Sequence, residues 1–245
     1  MVVATLLWSI AGVVTRQLEA ARSFEVTFWR SAFNALALLV LLSALRGPAA
    51  LWRSLRDGGR VLWLSGVAWA VMYTAFMLAL TLTTVANVLV TMALAPLFTA
   101  LLARLALKHR LAARTWGAIV VAGLGIAWMY GSELGGGDPR HLLCTAVALG
   151  VPLAAAVNWT LLQHTASRSA ATSGHGDMLT AVLVGATISA LVTLPLALPF
   201  QASGHDLAWL GLLGVAQLAI PCLLAVTAVC VIARDLVMVN GRLAR

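Results

Sequence analysis

Apolar residues do not alternate with polar ones along this chain. They run in long blocks, such as "FMLALTLTTVANVLVTMALAPLFTALLARLAL" over residues 76–107. A helix needs about 20 mostly apolar residues to cross a hydrocarbon core about 30 Å thick. Cutting the blocks at their polar breaks yields eight expected spans: residues 2–18, 24–45, 61–80, 84–106, 115–131, 142–163, 178–199 and 207–232. Only "TLTT" separates the third from the fourth, so those two helices must be antiparallel neighbours. The pattern predicts an all-α integral membrane protein with about eight transmembrane helices.

Composition agrees with that reading. Of 245 residues, 62% are hydrophobic and 10% charged, and mean hydropathy is +0.97. Soluble domains carry about 25% charged residues, so this chain cannot cover itself with polar surface. The net charge of +8 would suit nucleic acid, but its distribution points to topology instead. Twelve basic residues fall on one side of the expected spans: Arg46, Arg53, Arg56, Arg60, Arg104, Lys108, Arg110, Arg114, Arg168, Arg234, Arg242 and Arg245. Arg16, Arg22 and Arg140 fall on the other side, offset by Glu19, Glu25, Glu133, Asp138 and Asp206. The positive-inside rule then expects both termini in the cytoplasm and no nucleic-acid partner. Cys144, Cys222 and Cys230 all lie in apolar runs and read as buried, inert thiols. "MVVATLLWSIAGVVT" lacks a basic leader and a clear cleavage site, so it reads as a retained span.

The chain also repeats itself. "WLSGVAWAVMYTAFMLAL" in span three aligns with "WLGLLGVAQLAIPCLLAV" in span eight when Gly66-Val67-Ala68 is set on Gly214-Val215-Ala216. Spans one and six, and two and seven, then fall into register. Five spans per repeat is an odd number, so the second copy would enter inverted, an arrangement common in secondary transporters. The domains expected are a first repeat over 1–131, a second repeat over 142–232 without counterparts of spans four and five, and a polar tail over 233–245. A truncation, a shifted reading frame or an altered splice would each produce that ending.

"LLWSIAGVVTR", "FWRSAFNALALLVLL", "ANVLVTMALAPLFTALLARLAL" with Pro96, and "TWGAIVVAGLGI" follow one another in order and spacing. In this the chain resembles the EamA-type drug/metabolite transporters. The resemblance implies ten spans in two inverted five-helix repeats, and carriage of small organic solutes, often as export. It also implies a glutamate just after span four, where this chain has His109.

Polar groups at membrane depth are expensive and mark candidate sites. Asn34, Tyr73, Asn87, Asn158 and Gln217 are candidate substrate-binding residues, with Trp8 and Trp159 as stacking walls. Each has a plainer reading: the amides as interhelical hydrogen bonds, Tyr73 as core packing, the tryptophans as interface anchors. Arg30 interrupts "EVTFWRSAFNALALLVLL" about two turns into span two. It is expected to be an outer-end anchor or gate, snorkelling to water with Glu25 as its partner, rather than a midplane binding charge. Pro96 and Pro221 remove helix hydrogen bonds and are candidate hinges. Gly117, Gly123 and Gly125 would let helices approach closely. His164 and His175 lack carboxylate or thiol partners at metal-ligand spacing, so no metal or other cofactor is expected.

No acidic residue sits mid-span and no glycine-rich nucleotide loop occurs, which argues against an obvious coupling carboxylate and against a primary pump. The reading is therefore a non-enzymatic carrier of small organic metabolites or drugs, working by alternating access in a bacterial inner membrane. Its partners would be the lipid bilayer and a small solute, and a homodimer is compatible with it. A non-transporting assembly subunit and an integral-membrane enzyme are the alternatives. Polar residues converging on one cavity would favour transport; polar residues scattered along helix contacts would favour assembly.

Overall fold

The computed structural model describes residues 2–21, 23–107, 113–134, 139–169, 177–228 and 231. The first rod is broken into α1 (Val2–Ser9), α2 (Ala11–Val14) and a 3-10 turn, Thr15–Gln17. After it come α3 (Ser23–Arg46), α4 (Pro48–Arg56), α5 (Arg60–Leu82), α6 (Val85–Met92), α7 (Ala95–Leu107) and α8 (Ala113–Leu134). α9 (Pro139–Ser169), α10 (Asp177–Ala197) and α11 (Gly204–Leu212) complete the set, and α11 runs on into a π-helix, Leu213–Ala219, and helical residues to 228.

Among the described residues, five stretches are long and apolar enough to cross a membrane: Phe24–Arg46, Arg60–Leu82, Val85–Leu105, Leu179–Ala197 and Gly204–Ala228. They overlie the second, third, fourth, seventh and eighth expected spans. Val2–Gln17 and Ala146–Leu162 are shorter apolar helices, at the first and sixth expected spans. α8 encloses the fifth. The chain is thus a multi-pass membrane protein, and its described residues form helices and no strands. The tail over 233–245, together with His109, His175 and the thiol of Cys230, lies outside the described residues.

Two boundaries differ from the expectation. The basic connection over 46–60 holds a helix, α4. Gly47 takes a φ of 81°, which costs a residue without a side chain little, and Pro48 then starts the helix where its missing N–H costs nothing. Leu51 and Leu55, one turn apart, pack into the core while Arg53 and Arg56 stay exposed. α9 is longer than 142–163, because its polar ends also coil into the helix.

The core lies where α10 packs between α3 and α5, with α9 against α5 and the π-helix against α3. Close backbone contact is the reason for the glycines here. A methyl group at Gly185 would fall on the Trp69 Cβ and come within 2.8 Å of the Gly66 carbonyl oxygen. One at Gly214 would lie 2.6 Å from the Phe33 Cβ and 2.8 Å from the Arg30 carbonyl oxygen. Hydroxyls also join the helices, since in lipid the hydrophobic effect does not. The Ser189 Oγ lies 3.0 Å from the Ser31 Oγ and 2.9 Å from the Thr74 Oγ1, tying α10 to α3 and α5.

Gly117, Gly123 and Gly125 do not behave as expected. Among the described residues, no atom comes within 4 Å of where their side chains would begin. α8 stands at the edge of the bundle, with Trp116, Val120, Val121, Leu124 and Trp128 exposed. Leu36, Leu39 and Val40 on α3, and Leu191, Val192 and Leu196 on α10, are exposed too. Lipid, not water, accounts for so much outward apolar surface.

Candidate functional site

A cavity of about 380 Å³ lies among α1, α5, α9, the α6–α7 junction and the π-helix. Helical stripes build most of it. Thr5, Trp8 and Ser9 come from α1; Trp69, Met72, Tyr73 and Phe76 from α5; Val151, Ala155 and Trp159 from α9. Residues three and four apart share a helix face, so each helix turns one stripe inward. The Trp69 ring packs 5.5 Å from Tyr73 and 6.0 Å, edge on, from Trp159.

Two irregular backbones complete the wall. Between α6 and α7 the helix gives way to a turn at Ala93 and Leu94, just before Pro96, which offers no N–H and disfavours helix in the residue before it. Leu89, Met92 and Ala95 line the cavity around this junction. Pro221 likewise has no N–H for the carbonyl of Gln217, four residues earlier, and its ring crowds that oxygen. The coil over Leu213–Ala219 widens to a π-helix there, and Gln217 faces the cavity.

Arg30 also lines this cavity and is only 1% exposed. The bare Gly214 lets the π-helix lie close to the Arg30 backbone on α3, and the Arg30 and Gln217 side chains meet beside this crossing. One guanidinium nitrogen, Nη1, donates to the Gln217 Oε1 at 3.4 Å, and Nη2 donates to the Tyr73 carbonyl at 3.3 Å. Cζ sits 5.7 Å over the Phe76 ring, and Nε has no hydrogen-bond partner among the described residues. The Tyr73 hydroxyl is 3.4 Å from the Cys222 Sγ.

Arg30 therefore does not pair with Glu25 and does not snorkel past it to water. Glu25 is itself buried, and its Oε1 accepts from the backbone N–H groups of Gln201 and Ala202, both at 2.8 Å. Two backbone donors without helix partners hold a carboxylate better than a guanidinium one and a half turns away on the same helix.

The candidates divide into two groups. Trp8, Tyr73, Trp159, Gln217 and Arg30 meet at the cavity, as does the thiol of Cys222, which the sequence presents only as an inert thiol. Asn34, Asn87 and Asn158 are not among the lining residues. Asn34 is buried near Tyr73. Asn158 is buried, with Oδ1 accepting from the Ser65 Oγ at 2.6 Å, and the Asn87 Nδ2 donates to the Thr83 Oγ1 at 3.1 Å. Trp69, Met72 and Phe76 were missed, although their spacing around Tyr73 marks one face of α5. Pro96 lies beside the cavity wall, and Pro221 adjoins the lining residue Cys222.

Residues 1–131 match the EamA-like transporter family. A crystal structure of another protein aligns with a TM-score of 0.60 over 98% of this chain and 86% of its own, at 20% identity, a likeness of fold. No curated protein matches the chain.

Proposed function

This chain belongs to the EamA-like transporter family, and on that premise we propose that it carries small organic solutes by alternating access, with the cavity around Arg30 and Gln217 as the solute site. The observation that carries the proposal is convergence. Arg30 from α3, Tyr73 from α5 and Gln217 from the π-helix meet in one cavity with three tryptophans in its walls. Polar side chains gathered this way at membrane depth serve a solute path better than they serve helix assembly.

The expected inverted repeat is part of this reading. Gly66 packs on Val184 and the Ala181 carbonyl, while Gly214 packs on Phe33 and the Arg30 carbonyl. The register that sets Gly66 on Gly214 also sets Phe33 on Ala181, a shared contact position that supports a common crossing in the two halves. Such a two-fold relation supports a site held between two halves that rock against each other. The turn before Pro96 and the π-helix before Pro221 would be the hinges, since both are already released from regular helix bonding. Export from the cytoplasm of a bacterial inner membrane, with both termini inside, completes the proposal, and the arginines of α4 and its flanks support that orientation.

Reconstitution into liposomes tests it. The 245-residue chain should give saturable flux of at least one solute from a panel of amino acids, organic acids and amphiphilic drugs. No flux above protein-free liposomes for any of them sinks the transporter reading.

A further inference from the structure

We propose that the solute is a monoanion: a carboxylate head held by Arg30 and Gln217, on an apolar and preferably aromatic body. The proposal rests on the cavity being the solute site. A guanidinium keeps its charge in any protein, and burial strips it of water. Every partner that Arg30 has among the described residues is neutral: an amide oxygen, a peptide oxygen and a phenyl face. Among the described residues no carboxylate lies within 4.0 Å of it. The two carboxylates buried among the described residues, Glu25 and Asp206, are held by backbone N–H groups of other segments. Among the described residues, then, nothing compensates the positive charge in the cavity.

The bonds that Arg30 makes are also weak. They measure 3.3 and 3.4 Å, against about 2.7–2.9 Å for a guanidinium on a carboxylate, and Nε makes none. Gln217 has turned its oxygen to Arg30, which leaves its NH₂ as a donor. A head group that only accepts hydrogen bonds satisfies both residues, and an ammonium satisfies neither. No described lining residue is acidic, so an amine or a zwitterion lacks a partner for its positive end. Trp8, Trp69, Trp159 and Phe76 surround the remaining space, and about 380 Å³ is at the small end of ligand pockets, which run from about 300 to 1,000 Å³. One ring system with a short acid arm fits that description.

A matched series isolates the charge. The full chain in lipid nanodiscs is titrated by calorimetry at pH 7 with 3-phenylpropionate, 3-phenylpropanamide and 3-phenylpropylamine. Propionate should bind at least about 30-fold more tightly than the amide, the lower bound for a buried charge pair, and the amine should bind no more tightly than the amide. Arg30→Gln should bring 3-phenylpropionate to within about threefold of the amide. Arg30→Lys should keep part of the preference, since it retains a charge but loses the fork. Amide or amine binding as tight as propionate overturns the proposal, as does binding of none of the three. An Arg30→Gln protein that folds and still prefers propionate overturns it as well. If Arg30→Gln does not fold, the wild-type ranking and Arg30→Lys decide. Flux of the same three compounds in liposomes separates the two ideas. Ranked binding without flux sinks transport and leaves the anion site; flux of the amide or amine without propionate preference does the reverse.

Discussion

Four glycines provide a graded test of how tightly the helices cross. At Gly185 an alanine methyl would fall on the Trp69 Cβ, 2.8 Å from the Gly66 carbonyl oxygen and 3.1 Å from the Ala70 nitrogen. At Gly214 it would meet the Phe33 Cβ at 2.6 Å, the Arg30 oxygen at 2.8 Å and the Asn34 nitrogen at 2.9 Å. At Gly66 the nearest atom, at 2.6 Å, is a Val184 side-chain methyl, and backbone is no closer than 3.6 Å. At Gly117 no described atom beyond its own stretch of helix lies within 4 Å. Carbon atoms pack best at about 3.5–4.0 Å, so the first two changes push on backbone by about 1 Å. Overpacking costs about 1–3 kcal/mol, while alanine gains up to about 1 kcal/mol over glycine in a helix. Gly185→Ala and Gly214→Ala should lose stability, Gly66→Ala should lose less, and Gly117→Ala should be neutral or better. Melting midpoints of the detergent-solubilised variants, followed by tryptophan fluorescence, measure the order. Midpoints for Gly185→Ala and Gly214→Ala at or above that of Gly117→Ala would refute the packing described here.

Asp206→Ala removes the acceptor of four backbone N–H groups, from Glu19, Ala20, Ala21 and Ser203. It should cost about 2–4 kcal/mol and speed tryptic cutting after Arg16, both visible in timed digests. Ser189→Ala breaks the hydroxyl links to Ser31 and Thr74. At about 0.6 kcal/mol per interhelical bond it should cost about 1 kcal/mol, read as a modestly lower melting midpoint. Pro96→Ala restores a backbone donor at the α6–α7 junction. Flux measurements should find a lower maximal rate without loss of thermal stability, and an unchanged rate would remove Pro96 from the hinge proposal.

How much of this was legible depended on the period of the pattern. Long apolar blocks bounded by charges mark helix ends to within a few residues, so α3, α5 and α10 lie close to their expected limits. α4 was not read because arginines mask its Leu51–Leu55 turn, although Gly47-Pro48 is a start signal. The cavity lining was half legible. Tyr73, Gln217, Trp8 and Trp159 are large or polar groups that stand out in an apolar run, and they do meet. Trp69 and Phe76 look like ordinary core residues until Tyr73 is known to face a cavity. Asn34, Asn87 and Asn158 stand out just as strongly, but a short amide is equally well satisfied by a neighbouring helix, and sequence does not show which way it turns. The partner of Arg30 was misjudged because Glu25 is near in sequence, whereas the N–H groups of Gln201 and Ala202 come from far along the chain.

The most direct test of the central claim is flux through a filled cavity. Ala155 lines the cavity and bears no charge or hydrogen bond on its side chain, so Ala155→Phe occupies solute space while Arg30, Tyr73 and Gln217 stay in place. In liposomes, with the variant folded and inserted as well as the unaltered chain, saturable solute flux should fall at least about tenfold, the loss expected from roughly 1.4 kcal/mol of blocked binding. Flux at the unaltered rate would mean that solute travels by another route and that this cavity is not the site.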